Sequence, residues 1–471
     1  MKGSKEKPFK LSIVGAGPAG VSILIKAIRL NLFNELCTET LDENQISSAG
    51  LCIIDENTRQ NFGAGKLPNY IINSNTFADK FVTNTIDERL HWLPLESLDI
   101  NDKNTIQSLP SAISLTKLGA TRCPLVIVGE YLKDIAQLVL DKLSKYPVSQ
   151  VYFSSRVDSI QRVTVNKRSL WCITMTQTIS TTATTTNTSA TTEGCDKTVT
   201  IYTESVALST GGIQKVPDIS LLTSLKPTDK AKVLCSDYYC QQEGYDTIRT
   251  RLLSSVFKHV VIIGGSHSAF SCAWITINRL LKDLHISGSE GSATGGGGGG
   301  GNKCYVYILH RSAIKVFYNT KQEADRDGYR DYKHINPHTG SIHAFSGIRG
   351  DAKQLWRSIC IGTETRVKLI EMKGQSFLAK LCYDASLVIW AGGYHTNLPR
   401  ILNEDNSEMK FKYDCSQVDI DLHGNLIEEM ESTLDDPINR LFRVSPVPGL
   451  LGIGLGYGVK SAEDGEHVRA G

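Results

Sequence analysis

The sequence predicts an α/β protein. Two observations carry this reading. A short apolar run at residues 11–14 breaks into a glycine turn and continues as an apolar helix, and a second run of the same build occupies residues 259–263. Strand, tight turn and helix in that order open a β-α-β unit. Two such openings in a chain of 471 residues predict two units, each long enough to bury its own core.

The first turn is Gly15-Ala16-Gly17-Pro18-Ala19-Gly20, a complete G-x-G-x-x-G between a predicted strand and a predicted helix. That context is what the Rossmann-like dinucleotide pattern requires. Gly15 permits the tight turn, Gly17 lets the backbone approach a pyrophosphate, and Gly20 lets helix and strand pack closely. The diphosphate would sit on free N–H groups at the positive end of the helix. The plainer alternative is a turn between any strand and any helix, so the other parts of a nucleotide site decide.

The second strand of such a unit ends in an acid that binds ribose hydroxyls, about 20 residues beyond the glycines. Here the apolar run 51–54 delivers Asp55 and Glu56, later than usual because of a polar insert at 31–50. Asp55, which directly follows the run, is the first choice and Glu56 the second; the competing reading is an acid that merely ends a strand in water. The following loop, with Gly63 and Gly65, leads into an amide-rich turn containing Asn73 and Asn75. Small residues let a backbone pass close to a flat ring, and Asn side chains hydrogen-bond ring heteroatoms. On residue type alone an ordinary surface loop fits as well.

Composition narrows the class. Hydrophobic residues make up 41% and charged residues 21%, ordinary for a globular protein, and the net charge of +2 leaves no broad basic face for nucleic acid. No apolar run approaches the roughly 18 residues of a membrane span. The basic N-terminus precedes an apolar segment cut by the glycine turn, so it reads as a fold element and not a leader. Twelve scattered cysteines suggest reduced thiols and a cytoplasmic setting. In that setting Asn187-Thr188-Ser189 is a chance match to a glycosylation acceptor.

Residues 84–122 read as a polar, partly helical excursion, and 129–143 as a core-facing helix. Alternating runs at 151–153, 157–165 and 170–175 predict strands, followed at 176–192 by a Thr-, Ser- and Ala-rich tract too polar to bury a core, read as a disordered hairpin extension. Strand character returns at 197–202. A further run at 206–208 ends in Ser209-Thr210-Gly211-Gly212, a strand delivering a tight turn.

The second turn is Gly264-Gly265-Ser266-His267-Ser268-Ala269, a G-x-G-x-x-A with Ser266 in place of the middle glycine. The strand at 305–309 then closes on His310 and Arg311. A basic residue where an acid would bind a ribose suits a 2′-phosphate and favours NADPH over NADH; an unengaged surface arginine is the alternative. Between them lie seven consecutive glycines, 295–301, a flexible linker. The Arg- and His-rich stretch 315–357 includes His334 and His338, but no supporting carboxylate or cysteine cluster, so no metal site is expected. A last strand and glycine turn, ending Ala391-Gly392-Gly393-Tyr394, precede Pro399, and the chain closes on a glycine-rich segment, 448–458.

This order of parts resembles the two-dinucleotide-domain flavoproteins, and within them the class B, NADPH-dependent flavin monooxygenases, most of all the ornithine and lysine N-hydroxylases. Family members carry an Ala-Thr-Gly-Tyr turn, matched by residues 391–394 with Gly392 for the threonine. The resemblance spans residues 10–458 and implies two Rossmann-like three-layer dinucleotide-binding domains, the second inserted in the first. The FAD domain would comprise residues 1–229 and 384–471, and the NAD(P)H domain 230–383. FAD would be held by Gly15, Gly17, Pro18, Ala19, Gly20, Asp55 or Glu56, Gly63, Gly65, Asn73 and Asn75, and Gly211, Gly393 and Tyr394 are further cofactor-binding candidates. NADPH would be held by Gly264, Gly265, Ser266, Ser268, Ala269 and Arg311. The implied activity is monooxygenation of a small molecule by O2 through a flavin peroxide, with the protein supplying orientation and exclusion of water. No catalytic side chain is identified.

Two departures bear on the reaction. The Baeyer–Villiger motif Phe-x-Gly-x-x-x-His is missing, and Gly454-Leu455-Gly456-Tyr457 stands where disulfide reductases carry a Gly-Asp pair. The competing enzyme reading is a flavin-dependent disulfide or quinone reductase, for which Cys235 and Cys240 have the spacing of a redox pair. A third reading is a non-catalytic FAD- or NAD(P)-binding protein.

Overall fold

The computed structural model describes residues 1–41, 47–86, 106–179, 195–216, 232–253, 257–285, 305–344, 346–373, 375–414, 417–421, 423–430, 443–455, 457–460 and 467–469. The glycine run at 295–301 and most of the Thr-rich tract lie outside them.

The chain opens with strand β1 (Phe9–Val14), helix α1 (Pro18–Arg29) and strand β2 (Ser47–Ile54). The apolar residues of β1 and β2 are buried nearly without interruption, as in a parallel sheet covered on both faces. Helix α1 begins with proline, whose missing N–H would have no partner there in any case. It ends in a Schellman motif: Asn31 takes φ 57°, its N–H donates to the Ile28 carbonyl, and Leu32 donates to that of Ala27.

Strand β3 (Asn73–Phe77) pairs antiparallel with β4 (Arg122–Pro124) across an intervening helical stretch, and β4 leads into the long helix α2 (Leu125–Leu143) and strand β5 (Gln150–Tyr152). Helix α2 contains the core-facing helix predicted at 129–143. Strands β6 (Ser155–Val165), β7 (Arg168–Ile179) and β8 (Cys195–Leu208) form an antiparallel ladder. The stretches 197–202 and 206–208, read separately from sequence, are one strand, β8.

The chain then makes a short strand β9 (Gly212–Ile213), β10 (Val233–Cys235), the one-turn helix α3 (Ser236–Tyr239), β11 (Val260–Ile263), helix α4 (His267–Ile275) and β12 (Val306–His310). Helix α5 (Gly350–Cys360), β13 (Val367–Glu371) and β14 (Leu387–Trp390) follow. A second short strand, β15 (His395–Thr396), β16 (Arg400–Leu402) and β17 (Arg443–Gly452) return toward the first sheet.

Two sheets organise the described residues. In the first, β5, β2, β1, β8 and β17 run parallel, and β7, β6 and β16 extend it beyond β8. The second has the order β10-β14-β11-β12-β13, all parallel. Each sheet has apolar clusters on both faces: one centred on Ile13, Val21 and Leu51 opposite another on Phe9, Cys52 and Trp171, and one on Phe270 and Ile308 opposite another on Val261 and Leu378. Both units are therefore three-layer α/β, with the second inserted in the first.

One boundary moves. Strand β14 pairs with β11 and β10, so it belongs to the second sheet. The division read at 383/384 falls one strand early, because a buried apolar strand followed by a glycine turn looks the same in either unit. The return to the first unit begins beyond Trp390. The two crossovers then run side by side: β9 and β15 pair antiparallel, Gly212 opposite Thr396 and Ile213 opposite His395.

Candidate nucleotide-binding site

In both sheets the strand order reverses beside the strand that carries the glycine turn. Strand β1 is followed by β2 on one side and flanked by β8 on the other; β11 stands likewise between β12 and β14. Ligands of open α/β sheets bind at such reversal points, outside the carboxyl ends of the strands. The two turns are built alike there. A Cβ added to Gly15 would lie 2.5 Å from the Ser209 carbonyl oxygen, and one on Gly264 would lie 2.3 Å from that of Ala391. Each turn thus touches the end of the strand across its reversal point. Both glycines also take positive φ, 90° and 144°.

The glycines of the first turn divide by what they face. A Cβ on Gly20 would come within 2.1 Å of the Gly15 carbonyl oxygen, so Gly20 is required by the turn itself. At Gly17 the nearest atom to an added Cβ is Gly65 Cα, 3.9 Å away, and φ is −70°, which any residue adopts. Nothing within the protein requires glycine at that position. The bare backbone faces open space at the N-terminus of α1, where unpartnered N–H groups gather. That cradle fits a dinucleotide diphosphate. Gly63 and Gly65 lie against the same turn: the Gly63 N–H donates to the Ala16 carbonyl at 2.8 Å, and an added Cβ at Gly65 would stand 3.6 Å from Pro18. Ser209 closes the far side, its hydroxyl donating to the Val14 carbonyl at 3.1 Å.

The two candidate acids take different places. Asp55 is 3% exposed. Its Oδ2 accepts the Ala16 N–H at 3.1 Å, and its Oδ1 accepts the backbone and side-chain N–H groups of Asn57, each at 2.9 Å. Burial holds its carboxyl above the usual carboxylate range against the pull of those bonds. Asp55 therefore fastens the turn, while Glu56 at the adjoining position is exposed. The strand end carries two acids, and burial separates them.

Asn73 and Asn75 were expected beside the flavin ring; their side chains instead meet the second unit. Asn73 Nδ2 donates to Asp351 Oδ2 at 3.1 Å, and the Asn75 carboxamide lies 3.3 Å from His267 Nδ1. Arg122, on the partner strand β4, pairs with Asp351. The β3–β4 ladder thus grips the start of α5 and the second glycine turn. Nothing in an amide-rich turn distinguishes an edge that touches a ligand from one that touches another domain.

In the second turn Ser266 caps α4 without a side-chain capping bond and is exposed, as Gly17 caps α1. His267 follows it. The Arg349 N–H donates to its Nε2 at 3.1 Å, which places the ring proton on Nδ1. Burial, with the Arg349 charge, lowers its pKa to about 4, so the imidazole is neutral at the positive end of the helix. Gly265 packs against His310, and an added Cβ would stand 2.9 Å from its Cβ. Arg311, the next residue after that strand end, is exposed beside the turn, where a 2′-phosphate would lie.

Gly211 and Gly393 mark the two crossovers, with φ 72° and 102° and no atom within 4 Å of an added Cβ. The Tyr394 hydroxyl donates to Asp237 at 2.9 Å, and Tyr70, on the loop after Gly65, donates to the same oxygen. Tyr70 and Asp237 were missed from sequence; the only signal was an aromatic residue inside a glycine-rich loop. The cysteine pair reads differently as well. Cys240 lies 3.6 Å from Cys272 on α4, Sγ to Sγ, both buried, which gives Cys240 a neighbour other than Cys235. Among the described residues no cluster of His, Cys, Asp and Glu is arranged to hold a metal, and no helix is long and apolar enough to cross a membrane.

Comparison with known proteins adds the following. No family model matches the chain. It is 24% identical over 431 residues to a CMP-5′-(3-aminopropyl)phosphonate hydroxylase of Streptomyces rubellomurinus, covering 88% of this chain and 83% of that protein. Among solved structures it is similar to an ornithine N-hydroxylase of Kutzneria sp. 744, with 12% identity, a TM-score of 0.46, and 96% of this chain and 92% of that one covered. It is similar also to an ornithine hydroxylase from Pseudomonas aeruginosa, with 12% identity, a TM-score of 0.46, and 95% and 92% covered. The chain is a sequence relative of a hydroxylase over most of its length, and its architecture is that of two dinucleotide-binding units, one inserted in the other.

Proposed function

We propose that this chain is an FAD- and NADPH-dependent oxidoreductase that hydroxylates a small molecule with O2. The observation that carries the reading is the doubled nucleotide cradle: two glycine turns, each at a strand-order reversal and each against the opposite crossover, in a chain 24% identical to a hydroxylase over 88% of its length. The first turn, with Gly17 bare and Glu56 exposed, would hold FAD; the second, with Ser266 and Arg311, would hold NADPH. When bound, the flavin accepts a hydride from NADPH and activates oxygen.

The chain's own residues bind and orient. The N-termini of α1 and α4 face the two diphosphates. Asp55 and Ser209 hold the first turn in shape, so its N–H groups meet the ligand already arranged. His267, neutral and hydrogen-bonded, adds no competing charge at the second turn. We propose a primary amine as the group oxidised, on the strength of the relative named for an aminopropyl phosphonate substrate. The scattered thiols keep a cytoplasmic setting as the expectation. The test is a screen of primary amines and amino-phosphonates by NADPH oxidation with the product mass measured. A gain of one oxygen atom supports the reading, and NADPH consumption yielding only peroxide with every amine overturns it.

A further inference from the structure

Asp237 is the point where the two units meet through one side chain. It stands on α3, directly after β10 of the second sheet, and its carboxylate is 17% exposed. The hydroxyls of Tyr70 and Tyr394 both donate to its Oδ1. Its Oδ2 accepts from Gln241 at 3.3 Å and lies 3.6 Å from the Lys66 ammonium. Its backbone N–H donates to the Gln214 side-chain oxygen at 2.8 Å. Three separate stretches therefore converge on this residue. Lys66 and Tyr70 come from the first unit's loop, Gln214 from the outgoing crossover and Tyr394 from the returning one. Beside it the Ile71 N–H donates to the Cys240 carbonyl at 2.9 Å, which ties the same loop to the end of α3.

The placement connects the two cradles. The loop carrying Lys66 and Tyr70 begins at Gly63 and Gly65, which lie against the first turn. Strand β10, which leads into Asp237, pairs with β14, whose following residue, Ala391, abuts Gly264 of the second turn. Burial and the neighbouring carboxylate hold both tyrosine hydroxyls protonated far above neutral pH, so they remain donors. Among the described residues the units are also joined by the paired crossovers β9 and β15, by packing of Ile71 and Ile72 against the second unit's apolar core, and by the contacts of the β3–β4 ladder.

We propose that Asp237 is a positioning residue: its carboxylate, held by Tyr70 and Tyr394, fixes the second unit against the first and thereby sets the distance over which hydride passes. The proposal rests on the reading of the chain as an FAD- and NADPH-dependent oxidoreductase. Loosening the node would misalign the two cofactors while leaving both glycine turns and Arg311 intact. A small misplacement of reacting atoms lowers the rate steeply.

The test uses the FAD-loaded full chain. Anaerobic flavin reduction is followed over a range of NADPH concentrations in wild type, Asp237→Ala, Asp237→Asn and the double variant Tyr70→Phe/Tyr394→Phe. Amide exchange is measured at Ile71 and at the β9–β15 pair. Asp237→Ala and the double variant are expected to lower the limiting reduction rate by about tenfold or more. The apparent affinity for NADPH should stay unchanged and exchange at both places should speed up. Asp237→Asn keeps an oxygen that accepts from both tyrosines, so it should recover much of the rate, and the double variant serves as the test if the alanine variant does not fold. A limiting rate equal to wild type in the double variant, or exchange unchanged in it, overturns the proposal. Failure of NADPH to reduce wild-type flavin would refute the oxidoreductase reading, whereas the exchange measurement still judges the node.

Discussion

Asp55 accepts the backbone N–H of Ala16 across 39 residues of sequence, at 3.1 Å, inside the core of the first unit. The acid at the end of the second strand is thus part of the turn that ends the first. Removing it leaves a buried donor without a partner, which costs about 1–3 kcal/mol. Asp55→Ala should therefore lower the stability of the cofactor-free chain by that amount in urea unfolding. Glu56→Gln should leave stability unchanged and weaken FAD alone. Equal unfolding midpoints for wild type and Asp55→Ala would contradict the assignment.

The glycines of the first turn should separate by experiment. Gly20→Ala drives a Cβ to 2.1 Å from the Gly15 carbonyl oxygen, and Gly15→Ala adds a positive φ to a similar clash. Each should cost about 1–3 kcal/mol or more in the cofactor-free chain. A Cβ at Gly17 would meet no protein atom closer than 3.9 Å. Gly17→Ala should melt within about 1 kcal/mol of wild type without cofactor and fail to retain flavin, read by absorbance after gel filtration. Wild-type flavin content in Gly17→Ala would move the diphosphate elsewhere.

His267 predicts a pH dependence. Its pKa falls from the ordinary 6.5 to about 4 on folding, so the unfolded chain binds the extra proton between those values. Stability from this group is present above pH 6.5 and is lost as pH falls through about 4. Partial exposure limits the effect to on the order of 2 kcal/mol. His267→Gln should flatten that part of the curve when urea unfolding is compared between pH 7 and pH 5. An unchanged slope would show that the imidazole is not held neutral.

Arg311 should distinguish the two nicotinamide cofactors. Arg311→Ala is expected to weaken NADPH by on the order of tenfold, the loss of one charge-assisted phosphate contact. NADH should be little affected, and titrations monitored by flavin reduction read both. An equal loss for the two would remove the 2′-phosphate from this residue.

The thiols separate monooxygenase from disulfide reductase. Cys240 faces Cys272 and not Cys235 in the structure, and burial pushes the Cys272 thiol well above its ordinary value. Cys235→Ser should leave NADPH-driven flavin reduction and product formation unchanged. Loss of turnover with retained flavin reduction would revive the redox-pair reading.

Much of the architecture was legible because it rests on local rules. Residues 11–14 and 259–263 are apolar throughout, as strands covered on both faces must be, and the glycines after them have few other uses. What was illegible depends on distance. Leu387–Trp390 reads as a strand but carries no mark of which sheet it joins, so the unit boundary was placed too early. Asn73 and Asn75 were legible as polar turn residues, but their partners Asp351 and His267 lie far along the chain. Asp55 and Glu56 are adjacent acids, and only burial tells which one closes the turn. Asp237 sat unnoticed between two cysteines because its partners come from three other places in the chain.

The pairing of Gly212 with Thr396 and of Ile213 with His395 has a consequence for modularity. The whole inserted unit leaves and re-enters through one two-stranded ladder, so its ends are as close as the arms of a hairpin. Excising it at Gln214 and Tyr394 and closing the gap with a tight Asn-Gly turn would leave that ladder as an ordinary hairpin on the first unit. The inserted half is thus a cassette in the topological sense, exchangeable without rethreading its host. On so narrow a stem the cassette takes its orientation from contacts made beyond the stem, the Asp237 carboxylate and the packing of Ile71 and Ile72 among them.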